Sequence, residues 1–391
     1  MRVIEQDSAM RGLELEITRR FHSYSDTGFA DAAERIDLKN AIADRSGGLN
    51  VLEWISDGAD SAKYYPSIYR RFGPERSPIA AAERGTGRPH SAFLVGGNVV
   101  KDLYIGKHQG LIKNSNSKNL FLSLRGVDPT VSQQISVFAA AARNNGTGHH
   151  LMTNAEWAYL ALKCKAQGFQ PRGNNNYGAD ISDATERGEI AHMYGSPADK
   201  IGRVLTGSGP LGWSHDGSPY GVWDLNGNIS EFVEGLQLSD GVIRLVAENN
   251  AASPDAAINA LYKSVLGDGT LADAGTAGEL KYAYPDPIDY GITVLASSAS
   301  NGFKGIQQVY KLAEVSNNPC PAILKELCII PHDAGEYGSD SFYYSLTGSR
   351  LCCRGSSWSY GVRGGVFYLD LGGALSGSLS GIGARPAFYR V

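Results

Sequence analysis

Hydrophobic positions in the first part of the chain recur at helix and strand spacings and predict a mixed α and β protein. Five elements are predicted before residue 110: helices over Met10–Phe21 and Ala30–Asp44, and strands over Pro66–Phe72, Ala92–Val95 and Leu103–Lys107. The glycines that follow Ser46 are expected to end the second helix.

Two further helices follow with clearer start signals. The first is predicted to begin with Asp128 as N-cap and Pro129 at the first helical position, and to end near Gly146. The second opens with Thr153 and Glu156 at capping-box spacing. Both have apolar stripes at helical spacing, comprising Ile135, Phe138, Ala139 and Ala142 in the first, and Trp157, Leu160, Ala161 and Cys164 in the second.

Near the C-terminus the pattern changes to a period of two. Phe367, Leu369 and Leu371 fall on one face of a predicted strand, and the alternate positions from Val366 to Asp370 fall on the other. The first face is uniformly apolar, whereas the second is chemically mixed. Residues 359–383 contain no Lys, Glu, Gln, Met or Trp. A strand with one uniformly apolar face for packing and one face of unrestricted residue type suits a binding surface built for variation.

Composition and charge narrow the function classes. The 391 residues are 42% hydrophobic and 19% charged, which is typical of a globular protein of one large or two to three smaller domains. The net charge of −4, without a Lys/Arg run, argues against a nucleic-acid partner. No apolar run is long enough for membrane insertion, and the N-terminus lacks the apolar core of a signal peptide. Five cysteines, two of them adjacent, favour synthesis in a reducing cytoplasm.

Three motifs resemble those of diversity-generating retroelement variable proteins, which carry a C-type-lectin fold of the formylglycine-generating-enzyme or sulfatase-modifying type. Leu151–Trp157 is similar to the LPTEAEW motif of sulfatase-modifying domains, and Gly221–Phe232 to GLYDMxGNVWEW. Arg354–Trp358, Gly365–Phe367 and Gly383–Ala387 resemble the RGGSW-like start, GxF strand and GFRPA-like end of the variable region. The family mutates template adenines, often in AAC codons, and such codons cannot become the five residue types missing from 359–383.

The resemblance implies an α+β, C-type-lectin fold with two helices packed on small antiparallel sheets, long loops and an insertion. It divides the chain into an N-terminal region (1–90) and a C-type-lectin-like domain (91–391). Within the domain, we expect an insertion at 235–335 and a variable region at 354–387. Docking, oligomerisation or extension of the core are open roles for 1–90, so a homo-oligomer stays open too.

The same resemblance carries residue roles onto this chain. The positions that match the family's variable sites, and are expected to bind the ligand, are Ser359, Tyr360, Val362, Arg363, Tyr368, Asp370, Gly372, Gly373, Gly377, Leu379 and Gly381. Tyr and Arg among them are expected to dominate affinity. The expected scaffold residues are Trp157, Trp223, Trp358 and Phe367, and Asn226 and Asn228 are expected to form a buried turn.

Catalytic and metal-binding alternatives have weaker support. Formylglycine-generating enzymes use a cysteine pair after the RGGS-like motif, and no cysteine follows Ser357 here. Cys352 and Cys353 precede the motif, and neighbours on a strand point to opposite faces. The polar run from Gly173 to Asp180 could hold calcium, but is more typical of a turn-rich loop. We therefore expect no enzyme activity, no cofactor and no metal site.

The expected function is recognition of a protein or glycan on a cell surface. The resemblance implies a phage, prophage or bacterial origin, and cytoplasmic synthesis without a signal peptide fits assembly into a virion. Two rivals stay open: a sulfatase-modifying-type oxidase, and a fixed, non-diversified adhesin. The second is kept open by Ala384, where the family usually has Phe.

Overall fold

The structure is a computed structural model. It describes residues 2–58, 63–85, 87–116, 118–253, 258–282, 294–296, 306–309, 321–333, 337–374 and 376–391. The predicted insertion at 235–335 therefore lies partly outside the described residues.

Helices and strands are mixed along the described chain, in keeping with the predicted α+β class. The helices are α1 Arg2–Ser23, α2 Ala32–Ser46, α3 Ile135–Arg143, α4 Asn154–Ala166, α5 Ile258–Leu261 and α6 Ala322–Glu326. The strands are β1 Asn50–Ser56, β2 Tyr64–Phe72, β3 Leu94–Val95, β4 Asn98–Val99, β5 Asp102–Gly106, β6 Gly110–Ser115, β7 Lys118–Ser123, β8 His149–Leu151, β9 Met193–Gly195, β10 Ala198–Ile201, β11 Ser230–Ser239, β12 Val242–Val246, β13 Tyr262–Val265, β14 Leu271–Ala272, β15 Leu280–Tyr282, β16 Val294–Ala296, β17 Ile306–Val309, β18 Ser341–Tyr344, β19 Ser349–Arg354, β20 Leu369–Leu371, β21 Ile382–Ala384 and β22 Pro386–Arg390.

Local signals place most of the helices correctly. The Thr153 hydroxyl accepts a hydrogen bond from the Glu156 amide and the Glu156 carboxylate accepts one from the Thr153 amide, which is the predicted capping box. The helix α2 ends at Gly47, whose φ of 61° is left-handed. The predicted start of α3 is wrong, because the helix begins at Ile135 with Gln134 as N-cap. Asp128 instead pairs with Arg203, at 2.6 Å from Oδ1 to Nε.

Two stretches near residue 90 also differ from the prediction. Ala92 and Phe93 lie in a short 3-10 turn, Ser91–Phe93, and only Leu94 and Val95 form a strand. In the N-terminal part, β1 was not predicted, although it pairs with β2 along its whole length.

One sheet joins both ends of the chain. Its strand order is β1-β2-β5-β22-β8, and every neighbouring pair is antiparallel. The residue range 1–90, expected as a separate region, therefore contributes two strands to a sheet that also contains the C-terminal strand. A buried ion pair between Glu14 of α1 and Lys107 ties the first helix to the same body.

The second large sheet is organised around β11. Its main order is β14-β13-β12-β11-β19-β20-β18-β17, with β15, β16 and β21 attached beside this path. The helix α4 packs against β11 with an almost fully buried set of side chains, including Trp157 and Leu160. This central strand positions the segment from which the candidate site is built.

A cleft formed by the C-terminal segment

The tail, defined here as residues 355–381, connects two strands that lie on opposite edges of β11. Before the tail, β19 pairs antiparallel with β11, and after it β21 pairs parallel with the other edge of β11. Between these points β20 adds to the outer edge of β19 and pairs in parallel with β18. The tail is therefore held at both ends by β11, with one short strand between.

A buried arginine fixes the start of the tail. The Arg354 side chain is fully buried, and its Nε and one terminal nitrogen donate to Asn154 Oδ1 at 3.0 and 2.7 Å. The same nitrogen donates to the carbonyls of Leu327 and Cys328. Asn154 belongs to the Leu151–Trp157 motif, so two of the motifs identified in the sequence are in direct contact.

A second buried arginine fixes the end of the tail. Arg385 forms a bidentate ion pair with Glu231 of β11, at 2.9 and 2.7 Å, and both side chains are at most 1% exposed. Its terminal nitrogens also donate to the carbonyls of Gly106 and Trp223, at 2.9 and 2.8 Å. Two charge-assisted bonds of this geometry bind a guanidinium firmly in one orientation.

The Asn226–Asn228 turn is buried beneath these contacts, as predicted. Asn226 donates to the Pro171 carbonyl at 3.0 Å, and Asn228 donates to Gln109 Oε1 at 2.8 Å. Asn228 Oδ1 accepts from the Val204 amide at 2.8 Å. A Cβ on Gly227, whose φ is 80°, would lie 2.1 Å from the Asn174 carbonyl oxygen, so glycine is required there.

The cleft, a cavity of about 320 Å³, gathers five of the predicted ligand-binding residues. Its lining consists of Ser359, Tyr360, Arg363, Tyr368 and Asp370 from the tail, together with Ser341 and Tyr343 from β18. The last two were not singled out in the sequence, because nothing local marks a strand that reaches the site through parallel pairing with β20. The predicted positions are thus brought together, and a strand from outside the tail completes them.

Two neighbouring depressions contain further predicted positions. One of about 250 Å³ shares Ser359, Tyr360 and Asp370 with the cleft, and is also lined by Leu379 and Gly381. Another of about 340 Å³ is lined by Val362, beside residues of the loop around Asp180. Gly372, Gly373 and Gly377 line none of these three cavities.

The exposure of the tail does not alternate as its sequence suggests. Val362 and Leu379 are 60% and 62% exposed, but Tyr368 is only 1% exposed and Val366 is buried as well. The strand is also shorter than the period-two pattern, since only Leu369–Leu371 is extended within the sheet. The chemically mixed face of the pattern is therefore not a solvent-exposed face at Tyr368, which is buried although it lines the cleft.

The polar groups of the cleft are connected. The Tyr368 hydroxyl donates to Asp370 Oδ2 at 3.3 Å, and its ring meets that of Tyr360 edge to face, with centroids 5.2 Å apart. Asp370 Oδ1 accepts from the Gly372 amide at 2.7 Å. Burial raises the pKa of the Asp370 carboxyl above its ordinary value, which the Gly372 and Tyr368 hydrogen bonds oppose only in part.

Gly372 and Gly373 differ in the room available for a side chain. A Cβ on Gly372 would come within 2.0 Å of the Tyr343 ring, whereas one on Gly373 would meet no heavy atom within 4 Å. Gly372→Ala is expected to lower the free energy of unfolding by about 1–3 kcal/mol, and Gly373→Ala to change it by less than about 0.5 kcal/mol. Urea denaturation of the two variants measures the difference, and equal values would mean that the Tyr343 ring moves aside without cost.

Asp340 supports the tail from beneath. Its Oδ2 accepts from the Phe367 amide at 2.8 Å, and a Cβ on Gly365 would lie 2.1 Å from its Oδ1. Burial raises the pKa of this carboxyl from 3.8 to about 8. The folded chain consequently keeps a proton that the unfolded chain has lost, and the stability that this proton contributes declines as pH rises from about 4 to about 8.

Asp340→Asn is expected to flatten this part of the pH dependence. Asparagine cannot ionise but still offers an oxygen to the Phe367 amide. Free energies of unfolding measured at about pH 5 and about pH 7.5 should therefore differ less in the variant than in the parent. Asp273→Asn is the control. The pKa of this exposed carboxyl lies below 3.8, so the group does not titrate between about pH 5 and about pH 7.5. An unchanged slope in Asp340→Asn would contradict the assignment.

The expected scaffold aromatics are all buried. Trp157, Trp223, Trp358 and Phe367 are at most 4% exposed. The Trp157 indole nitrogen donates to the Val366 carbonyl at 2.8 Å, so α4 holds the backbone of the tail directly. Trp358 also lines the 250 Å³ depression.

Residues considered for catalysis and metal binding have structural partners. Burial raises the pKa of the Cys352 thiol to about 12 and that of Cys353 well above its ordinary value, which opposes thiolate formation. The buried imidazole of His150, a side-chain type that can ligate a metal, bonds instead through Nε2 to Glu156 Oε1 at 2.7 Å. Asp180 accepts from the amides of Gly173 and Ser182, which makes the polar run a structured turn. Among the described residues no group of three or more His, Cys, Asp or Glu side chains is placed to hold a metal ion.

No helix in the described part of the chain is long and apolar enough to cross a membrane. No family model matches the sequence, and neither does any curated protein. A solved structure, "Major Tropism Determinant P3c Variant", is similar over 87% of this chain and 72% of its own length, with 11% identity and a TM-score of 0.30. Values this low do not establish a shared fold.

Proposed function

We propose that this chain is a ligand-recognition protein with a C-type-lectin fold, whose C-terminal surface is diversified by a retroelement. The observation that carries the proposal is the difference between the ends of the C-terminal segment and the residues between them. Its two motif ends are fixed by fully buried arginines, Arg354 and Arg385, while five predicted variable residues between them line one cleft. A surface that tolerates change needs ends that do not move, and the contacts made by these arginines supply such ends.

The fold proposal is supported by the paths of the two chain ends. The strands β1 and β22 belong to one sheet, and the long loops of the tail return to the central strand β11. The helices α3 and α4 flank β8 and β11 respectively, which is consistent with two helices packed on antiparallel strands.

Recognition is favoured over catalysis by the chemistry of the cleft. Its lining is rich in Tyr and Ser, residues that supply contact area and adaptable hydrogen bonding at binding surfaces. The two adjacent thiols are buried on β19 and have raised pKa values, as a structural cysteine does. The proposed partner is a protein or glycan on a cell surface, recognised by a phage- or prophage-encoded protein that is assembled into a virion.

A selection experiment tests the binding role. A display library varied at Ser359, Tyr360, Val362, Arg363 and Leu379 is expected to yield folded binders against a panel of unrelated purified proteins. The matched control library varies five positions of the loop at 183–190 that line none of the three cavities: Asp183, Thr185, Arg187, Glu189 and Ile190. A tail library that yields no more binders than the control would count against a recognition surface at the tail.

A further inference from the structure

The lining of the cleft includes a carboxylate that forms no ion pair with any described residue. Asp370 lies between Cys353 of β19 and Tyr343 of β18 in the register of the sheet. It accepts hydrogen bonds from the Gly372 amide and the Tyr368 hydroxyl, but no ion pair within the described residues reaches it. The side chain is half-buried, so an ammonium group beside it would form a charge-assisted contact that the described residues do not supply.

Two aromatic rings share the cleft with this carboxylate. Tyr360 comes from the tail and Tyr343 from β18, and both line the same cavity of about 320 Å³. Gly372 leaves room for the Tyr343 ring, which a Cβ at that position would strike. Aromatic faces next to a carboxylate attract organic cations, because the negative face of each ring adds to the charge of the acid.

The chain already places a cation on one of these rings. The Arg363 guanidinium carbon lies 5.5 Å from the Tyr360 ring centroid, at the rim of the cleft. Its side chain is exposed, and its Nε donates to the Tyr360 carbonyl at 3.4 Å. Arg363 thus shows that the ring accepts a cation, and it would compete with any cationic ligand for the same face.

We propose that the cleft binds an alkylammonium group, such as a lysine side chain of the partner protein, between Tyr343 and Tyr360 with Asp370 as counter-ion. This inference rests on the proposed recognition function and names the chemistry of its ligand. Tyr343 lies outside the variable tail, so it is a specificity-determining residue that diversification at the predicted positions leaves unchanged. Every variant of the tail would meet its ligand beside the same phenol ring.

Two small probes that differ in charge test the proposal on the full chain. Nα-acetyl-lysine methylamide carries the ammonium group, and Nα-acetyl-norleucine methylamide has a similar apolar stem without it. Saturation-transfer NMR titrations are expected to give the lysine probe an affinity about tenfold higher. Asp370→Asn should remove most of this preference while keeping the acceptor for the Gly372 amide, and Tyr343→Ala should weaken the lysine probe about fivefold or more.

Arg363→Ala is expected to change the affinity for the lysine probe in the direction opposite to Asp370→Asn and Tyr343→Ala. Removing the competing guanidinium is expected to raise the affinity for the lysine probe, whereas a cleft built for an anionic group would lose affinity for its ligand. The matched controls, Arg187→Ala and Asp273→Asn, change exposed charges outside the cleft and should leave both titrations unchanged.

Three outcomes overturn the inference. Equal binding of the two probes would mean an apolar or hydroxyl-directed cleft, with the recognition function intact. Tighter lysine binding that survives Asp370→Asn would place the cation elsewhere. A loss on Arg363→Ala would indicate an anion site. Failure of the recognition function itself would appear separately, in the library selection.

Discussion

Replacing Arg385 with methionine is expected to lower the free energy of unfolding by about 3–5 kcal/mol. The substitution leaves Glu231 as a buried carboxylate without its cation, 1% exposed, and removes the donors to the Gly106 and Trp223 carbonyls. Methionine fills most of the side-chain volume, so lost charge pairing rather than a cavity accounts for the effect. Chemical denaturation followed by tryptophan fluorescence measures it.

A more exposed ion pair supplies the control for Arg385. Lys39 pairs with Glu53 at 3.4 Å, the two side chains are 44% and 19% exposed, and Glu53 keeps Arg390 as a second partner, so Lys39→Met should cost less than about 1 kcal/mol. The double variant Arg385→Met with Glu231→Met should recover part of the loss, because it leaves no buried charge unpaired. A cost for Arg385→Met no greater than that for Lys39→Met would show that the end of the tail does not depend on this contact.

Replacing Tyr368 with alanine is expected to destabilise the fold by about 3–5 kcal/mol, although the residue occupies a predicted variable position. The ring is 1% exposed and packs edge to face on Tyr360, so its removal opens a cavity beneath the cleft. Tyr368→Phe removes only the hydroxyl bond to Asp370 and should cost about 1 kcal/mol. Thermal and urea unfolding of the two variants separate packing from hydrogen bonding.

Exposed positions of the same tail provide the comparison for Tyr368. Val362→Ala and Leu379→Ala should each change the free energy of unfolding by less than about 0.5 kcal/mol, since both side chains are about 60% exposed. If Tyr368→Ala were tolerated equally well, the tail would be a uniformly free surface, contrary to its packing. With the expected result, position 368 accepts only residues that fill its space.

Sequence reasoning succeeded where structure is decided by neighbours along the chain. The capping box of Thr153 and Glu156 and the left-handed Gly47 depend on residues within one helical turn, so their patterns predict them. Asp128 carries an equally good N-cap signal, but its carboxylate pairs with Arg203, 75 residues away, and the helix starts later.

In the candidate site too, the contacts between residues distant in the sequence were not predicted. The tail residues of the cleft could be proposed from their positions between two motifs, whereas Tyr343 reaches Asp370 only because β18 and β20 pair in parallel. The burial of Tyr368 also depends on residues that are distant in the sequence. A period-two pattern predicts which residues share a face but not what packs against that face. Residues that line a cleft from separate strands leave no local trace in a single sequence.

The central claim is that the tail positions at the cleft vary, whereas the buried frame and the strand β18 beside the cleft stay constant. Sequencing this gene's 3′ end in many sibling genomes, with the DNA downstream, tests it most directly. The account predicts a near-copy of the tail beside a reverse transcriptase, with adenines at the codons for Ser359, Tyr360, Val362, Arg363 and Asp370. It also predicts invariant codons for Arg354, Tyr343 and Arg385. An unvarying tail without a template copy would contradict diversification and leave a fixed adhesin.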